Sequence, residues 1–177
     1  MTTPTLDDLL VEYERALRYT TDLTADLTDD EIAWRPHAES SAIGWHLGHQ
    51  AAVAHYLVRN LTAAEPEIEP TLDRLFDSAT PEADRGELPA AARIIEYRDA
   101  VAERVRFRLG AIDRGEVGAP TQLRAIAATL LVAVVNHEYQ HDKWVGEVRA
   151  ETHGKDLPLE PASDRLQVID GYTVVTL

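Results

Sequence analysis

The sequence predicts an all-α fold, a four-helix bundle with a small C-terminal β-hairpin. Three observations carry that expectation. Four long stretches hold apolar residues at helical spacing, and each is bounded by capping residues, glycine or proline. A single Asp-Gly pair near the C-terminus separates two runs rich in β-branched residues. The 177 residues, none of them cysteine, are enough for one hydrophobic core but not for two, and that core has no disulfide to support it.

Thr5-Leu-Asp-Asp8 has the spacing of a capping box, with Asp in place of the usual Glu or Gln, and opens the first helix. Leu9, Leu10, Tyr13, Ala16 and Leu17 follow on one face. Thr28, Asp29 and Asp30 break the pattern. Arg35-Pro36 then reads as an extended connection, because the residue before proline avoids the helical region. Ser40 or Ser41 is the expected cap of a second helix, from about Ala42 to Asn60. Between Thr62 and Pro89 four prolines (Pro66, Pro70, Pro81 and Pro89) surround an apolar knot of Leu72, Leu75 and Phe76, predicting a long ordered loop with one helical turn.

A third helix is expected from about Ala90 to Leu109, stopped by Gly110, with Ile94, Ile95, Val101, Val105 and Leu109 on its apolar side. After a break at Gly115 to Pro120, Thr121 is the expected cap of a long fourth helix reaching about Glu151. Its stripe reads Leu123, Ala127, Leu130, Val134, His137, His141, Trp144 and Val148. Gly154 and Pro158 end it. Leu166 to Ile169, the turn Asp170-Gly171 and Tyr172 to Leu177 then form a hairpin with a two-residue type I′ turn. The bundle is thus assigned to residues 1–155 and the tail with its hairpin to 156–177.

Composition narrows the function. Seventeen Lys and Arg face 31 Asp and Glu, a formal charge of −14, and only Lys143 and Lys155 are lysines. A nucleic-acid surface needs a basic stripe and none is visible, and an anionic membrane is disfavoured for the same reason. No apolar run approaches the ~18 residues of a membrane span, and Met1 is followed by polar Thr2 and Thr3, so a cytoplasmic protein is expected. The surplus of acid, and of Arg over Lys, suits either a halophilic or a high-GC host. Without cysteine, thiolate zinc sites, iron–sulfur clusters and cysteine nucleophiles are excluded, so any metal must use His or carboxylate.

Four of the seven histidines point to such a site: His46 and His49 on the second helix, His137 and His141 on the fourth. Residues four apart on a helix share a face, so His137 and His141 can grip one ion. Both lie in register with an apolar stripe, where an imidazole costs free energy unless it finds a hydrogen bond or a metal. One such histidine alone reads as a hydrogen-bonded core residue. An i, i+4 pair with a third histidine on another core helix reads as a ligand set that leaves a coordination position open. Helical spacing does not separate His46 from His49, since both fall near the stripe of Val53 and Tyr56.

His137-Glu-Tyr-Gln-His141 also satisfies H-E-x-x-H, in which Glu138 would be the general base of a zinc protease. The motif is short, the residues after His141 lack the metzincin continuation, and the late acid Glu160 lies beyond the helix end, so this is the minor reading. Glu138 and Asp142 are instead candidates to receive the outer N–H of a ligating histidine. His37, His55 and His153 read as surface or packing residues. Trp34, Trp45, Trp144, Tyr56 and Tyr139 read as core or pocket wall, and the acidic stretch Glu65 to Glu69 as solvated loop.

Ile32-Ala-Trp-Arg-Pro36, Ser41-Ala-Ile-Gly-Trp-His-Leu-Gly-His49 and Val135-Asn-His-Glu-Tyr-Gln-His141 together resemble the DinB superfamily of metal-binding four-helix bundles. Trp45 to His49, Leu75-Phe-Asp-Ser78, Arg85-Gly-Glu-Leu-Pro89, Glu96-Tyr-Arg98 and Asn136 to His141 are similar, in the same order, to the N-terminal domain of the iron-dependent sulfoxide synthases of ergothioneine biosynthesis. The resemblance covers most of residues 5–150. It implies His49, His137 and His141 as the metal ligands and places His46 at a position that is not a ligand. It also implies a divalent ion, with iron, zinc and nickel all compatible with imidazole donors.

Relatives of this kind include thiol S-transferases. The first expectation is therefore an enzyme that activates a low-molecular-weight thiol, a small-molecule substrate, for S-transfer or isomerisation, the metal acting as Lewis acid. Non-haem iron, oxygen-dependent C–S chemistry comes second, because the sulfoxide synthases carry a large second domain that this sequence does not match. The alternative from another class is a non-catalytic metal-binding homodimer of the stress-associated kind. A fourth protein ligand would favour that alternative and an open vertex beside a pocket the enzyme.

Overall fold

The computed structural model describes residues 4–38, 40–62, 66–81 and 85–176. The polar start Met1 to Thr3, Glu65 of the acidic stretch and the last hairpin residue Leu177 lie outside the described residues.

Helix α1 spans Leu6–Thr24 and opens on the expected capping box: the Asp8 amide donates to the Thr5 hydroxyl at 3.1 Å, and the Thr5 amide donates to the Asp8 carboxylate at 2.9 Å. Its buried face runs Leu6, Leu9, Tyr13, Ala16, Thr20 and Leu23. The polar break that follows is itself a short helix, α2 (Asp29–Ala33), with a second capping box in which Thr28 and Glu31 exchange the same pair of bonds. Helix α3 (Ile43–Thr62) begins just after Ala42. Ser40 is not its cap, because its hydroxyl donates to the His37 carbonyl at 2.9 Å and closes the preceding turn. The knot at Leu72 to Phe76 contains one short helix, α4 (Pro70–Leu75).

Helix α5 (Ala91–Asp113) runs through Gly110 instead of stopping there. Ala111 and Ile112 are both buried, and packing them outweighs the ~1 kcal/mol that a helical glycine costs. The helix ends where Gly115 takes a φ of +72°, with the Glu116 amide donating to the Ala111 carbonyl at 2.9 Å and the Gly115 amide to Ile112 at 3.1 Å, a Schellman closure. Ile95, expected on the apolar side, is 48% exposed.

Helix α6 (Pro120–Glu147) starts with Ala119 at the cap position and Pro120 in its first turn, so Thr121 lies inside the helix. It continues into a π-helical turn at Val148–Thr152. Its buried residues form a wide arc that includes Ala127, Leu131, Val134, Val135, Glu138, Tyr139, His141, Asp142 and Val145. The expected stripe captured only one edge of that arc, since Leu131 and not Leu130 enters the core. The arc is wide because α6 lies between α1 and α3. Helix α3 also packs on α5, and α5 touches α1 and α6 to close the bundle.

Strands β1 (Leu166–Ile169) and β2 (Tyr172–Val175) pair antiparallel, Ile169 opposite Tyr172. Asp170 and Gly171 have φ of +52° and +81°, as a type I′ turn requires. The hairpin docks on α6 through Asn136, whose amide accepts from the Val175 N–H at 2.7 Å and donates to the Val175 carbonyl at 3.2 Å. Lys143 adds a bond to the Gly171 carbonyl at 3.0 Å. Among the described residues no helix is long and apolar enough to cross a membrane.

Candidate metal centre

The α3–α6 interface brings His49, His137 and His141 together, one ligand-capable nitrogen from each lying within 4.8 Å of the others. His49 and His141 are buried, at 7% and 5% exposure, while His137 is half-buried at the open edge. The i, i+4 spacing on α6 sets the His137 and His141 ring centroids 4.4 Å apart. His49 closes the triangle from α3 at 5.1 and 5.0 Å.

Each ring is oriented by its neighbours. His49 Nδ1 lies 2.7 Å from the Phe76 carbonyl at the end of α4, so it must be the N–H that donates, and Nε2 is left bare. Trp45 stacks flat on the same ring at 4.5 Å and 12°, and is itself tied down by its indole N–H donating to the Leu75 carbonyl at 3.2 Å. His141 Nε2 faces His137 Nε2 at 3.1 Å, and Trp144 stands edge-on to His141 at 4.9 Å. Phe76 reaches this position over Gly48, where any Cβ would collide with its ring.

Electrostatics keeps the imidazoles neutral. Burial, followed by the neighbouring histidines, pushes His141 down to about 2 and His137 to about 4. His46 is pushed down to about 4 by burial, then by His49 and by Arg85. Burial also lowers His49, opposed by its bond to Phe76. Neutral imidazole is the form that binds a metal, and three of them, each offering one nitrogen to a common point, suit a divalent ion of the zinc, iron or nickel kind. The donor set therefore fits a metal.

Glu138 does not face this centre. It is turned into the bundle, where Arg98 donates to its carboxylate at 3.1 Å, and its other oxygen has no hydrogen-bond partner. It cannot be the base of a zinc protease, and it does not receive a histidine N–H. Asp142 is equally turned away: Gln50 donates to it at 2.9 Å and Thr20 Oγ1 lies 2.9 and 3.1 Å from its oxygens. Burial first, then the Glu138 charge, raise its pKa far above the ordinary carboxylate range. The Thr20 hydroxyl is the donor of this cluster, with Asp142 at 2.9 and 3.1 Å and Glu138 at 3.3 Å as its acceptors. Arg98 also donates to Gln50 and to the Leu47 carbonyl, at 2.9 and 2.6 Å. The histidine layer thus rests on a buried polar layer in which Gln50, Glu138 and Asp142 follow the histidines on α3 and α6, while Arg98 reaches in from α5 and Thr20 from α1.

That layer was not anticipated from the sequence, nor was the Phe76 carbonyl. The visible signals were Gln50, Glu138 and Asp142, each one position after a histidine and so rotated by ~100° into the core. His46 is in the site without belonging to the triangle, with Nδ1 2.7 Å from His141 Nδ1. His55 is buried beside Asp73 at 3.4 Å, His153 packs edge-on to Trp34, and His37 is exposed. Tyr56 is 64% exposed, and Glu160 lies in the exposed tail.

A cavity of about 660 Å³ opens beside His49, walled by Tyr56, Arg59, Asp73, Arg74, Phe76 and Asp77 among others. The Arg85 guanidinium lies 4.3 Å over the Trp45 ring. The sequence model of the DinB superfamily matches residues 12–145, a span that includes every histidine of the site. No curated protein matches the chain significantly.

Proposed function

The chain belongs to the DinB superfamily, and from that premise we propose that it is a metal-dependent enzyme acting on a low-molecular-weight thiol, by S-transfer or isomerisation. The observation that carries the reading is the convergence of three neutral imidazoles from two helices, His49, His137 and His141, of which His49 also lines a cavity large enough for a small molecule. When bound there, a divalent ion supplies Lewis acidity that lowers the pKa of a coordinated thiol toward neutrality.

The protein's own groups supply the rest. Phe76 and Trp45 fix the His49 ring, and Trp144 flanks His141. Trp45 and Trp144 also set apolar rings against His46, His49 and His141. Arg85 places a positive charge close enough to depress His46 and His49, and the same charge favours an anionic sulfur. With three protein donors a coordination position remains for substrate, which favours the enzyme over a closed structural site.

The test is metal analysis of the protein purified without chelator, followed by cobalt substitution and titration with cysteine and glutathione as probes. One ion per chain, lost in His137→Ala, and a sulfur-to-cobalt absorption band on adding thiol are the expected results. Wild-type protein without a stoichiometric ion would overturn the metal reading. A cobalt spectrum blind to both thiols would overturn the thiol reading.

A further inference from the structure

His46 has no place in the triangle of ligand nitrogens, yet it makes the shortest contact any ring of the site makes with another. Its Nδ1 lies 2.7 Å from Nδ1 of His141, with ring centroids 5.0 Å apart. Two imidazole nitrogens at that distance must be one donor and one acceptor. The other nitrogen of His141, Nε2, faces Nε2 of His137, its neighbour in the triangle, at 3.1 Å. If Nε2 of His141 is to bind an ion it must be bare, so Nδ1 must carry the proton. His46 Nδ1 is then the acceptor, and its own proton sits on Nε2.

We propose that His46 is a positioning residue: by accepting the Nδ1–H of His141 it locks that ring in the tautomer and orientation that present Nε2 to the metal. This rests on the metal reading above. The same task falls to the Phe76 carbonyl at His49, so two of the three rings have a fixed acceptor behind them, one a backbone oxygen and one an imidazole. His46 is itself held in place. Trp45 packs edge-on to it at 5.6 Å and Trp144 lies against it at 5.6 Å, so the acceptor is not free to swing away. The buried carboxylates nearest in sequence to the α6 ligands, Glu138 and Asp142, are committed to Arg98, Gln50 and Thr20, which leaves His46 as the acceptor within reach.

His46→Asn and His46→Leu test the idea together. The Asn side-chain oxygen lies about where Nδ1 of histidine does and keeps an acceptor, whereas Leu removes it. Cobalt and zinc affinities, from competition with a chromophoric chelator, should fall on the order of 10- to 100-fold in His46→Leu and stay near wild type in His46→Asn. The cobalt absorption spectrum should report the same coordination number in all three proteins. Equal affinity in wild type and His46→Leu would overturn the proposal. So would equal losses in both variants with an altered cobalt spectrum, which would make His46 a ligand.

Nitrogen-detected NMR of the metal-free protein supplies a readout independent of metal. His141 should be protonated at Nδ1 in wild type and His46→Asn, and at a mixture of nitrogens in His46→Leu. A His141 protonated at Nε2 in wild type would sink the proposal. Wild type that binds no ion but shows the Nδ1–H tautomer would refute the metal reading while leaving the His46 contact standing.

Discussion

Gly48→Ala is the sharpest test of how the site is built. Glycine inside a helix is worth ~0.5–1 kcal/mol less than alanine, so on helix propensity alone the substitution stabilises. The structure predicts the reverse. A Cβ at position 48 would lie well under 3.0 Å from three carbons of the Phe76 ring, against the ~3.5–4.0 Å of a normal carbon contact, so the ring must retreat by about an ångström. Phe76 is fully buried with Tyr97 tilted against it at 5.9 Å, and overpacking of that kind costs about 1–3 kcal/mol. The net loss of about 0.5–2 kcal/mol corresponds to a melting temperature lower by roughly 1–8 °C for a chain this size. Because the Phe76 carbonyl holds His49, the same shift should weaken metal binding on the order of 10-fold. Urea denaturation of metal-free protein and chelator competition measure the two effects separately. Gly44→Ala is the milder comparison: its Cβ would meet the half-buried Leu88 Cδ2 at 2.7 Å, Ile32 Cγ2 at 2.9 Å and Ile94 Cδ1 at 3.1 Å, so its neighbours need smaller shifts than the Phe76 ring does. A Gly48→Ala protein more stable than wild type, with unchanged metal affinity, would refute the argument.

Arg98→Met should lower stability by about 3–5 kcal/mol in denaturant titration, since Glu138 would keep a buried charge without its partner. Adding Glu138→Gln to Arg98→Met should recover much of that loss. Asn136→Ala removes both bonds to Val175 and should cost about 1–2 kcal/mol, with hydrogen exchange rising first at Tyr172–Val175. For the metal-free protein the pH dependence follows from two opposed sets of groups. The depressed histidines resist protonation in the folded state, so their contribution is intact above pH ~6.5 and is lost as pH falls toward 4. Asp142 is raised, so its contribution falls as pH climbs above ~4 toward its elevated folded value. Four histidines outweigh one acid below pH 6.5, and Asp142 alone remains above it. Thermal melts should therefore be highest near neutrality, and Asp142→Asn should flatten the alkaline side; a melting temperature that rises as pH drops from 6.5 to 5 would contradict this.

The long helices and the hairpin were legible because their signals are local. The Thr5 box, the 3.6-residue spacing of Leu9 to Leu17 and Asp170-Gly171 each act within a few residues. The same rule would have found α2, because Thr28 and Glu31 have the full capping-box spacing, but the acidic run masked a helix barely a turn and a half long. Gly110 misled because whether a glycine ends a helix depends on what the next residues bury, and Ile112 faces the core. The triangle of His49, His137 and His141 came half from spacing and half from resemblance. Spacing pairs His137 with His141 but does not say which α3 histidine opposes them. That choice is made by Phe76, which reaches His49 and not His46 from a loop whose path no periodicity encodes. The buried layer of Gln50, Arg98, Glu138 and Asp142 was invisible for a related reason: charged residues one step from a stripe read as solvent-facing until the second neighbour of α6 is known.

The donor set has a further consequence for folding. His137 and His141 meet whenever one stretch of α6 is helical, but His49 joins them only when a helix from far back in the chain has packed alongside. The unfolded polypeptide can therefore offer an ion two imidazoles at best, and only in passing, while the native bundle offers three in fixed orientation. An ion binding there discriminates between the two ensembles, and its concentration sets how much it stabilises the native one. Occupancy would then report foldedness as well as readiness for chemistry, and starvation for metal would be felt first as a shorter-lived protein.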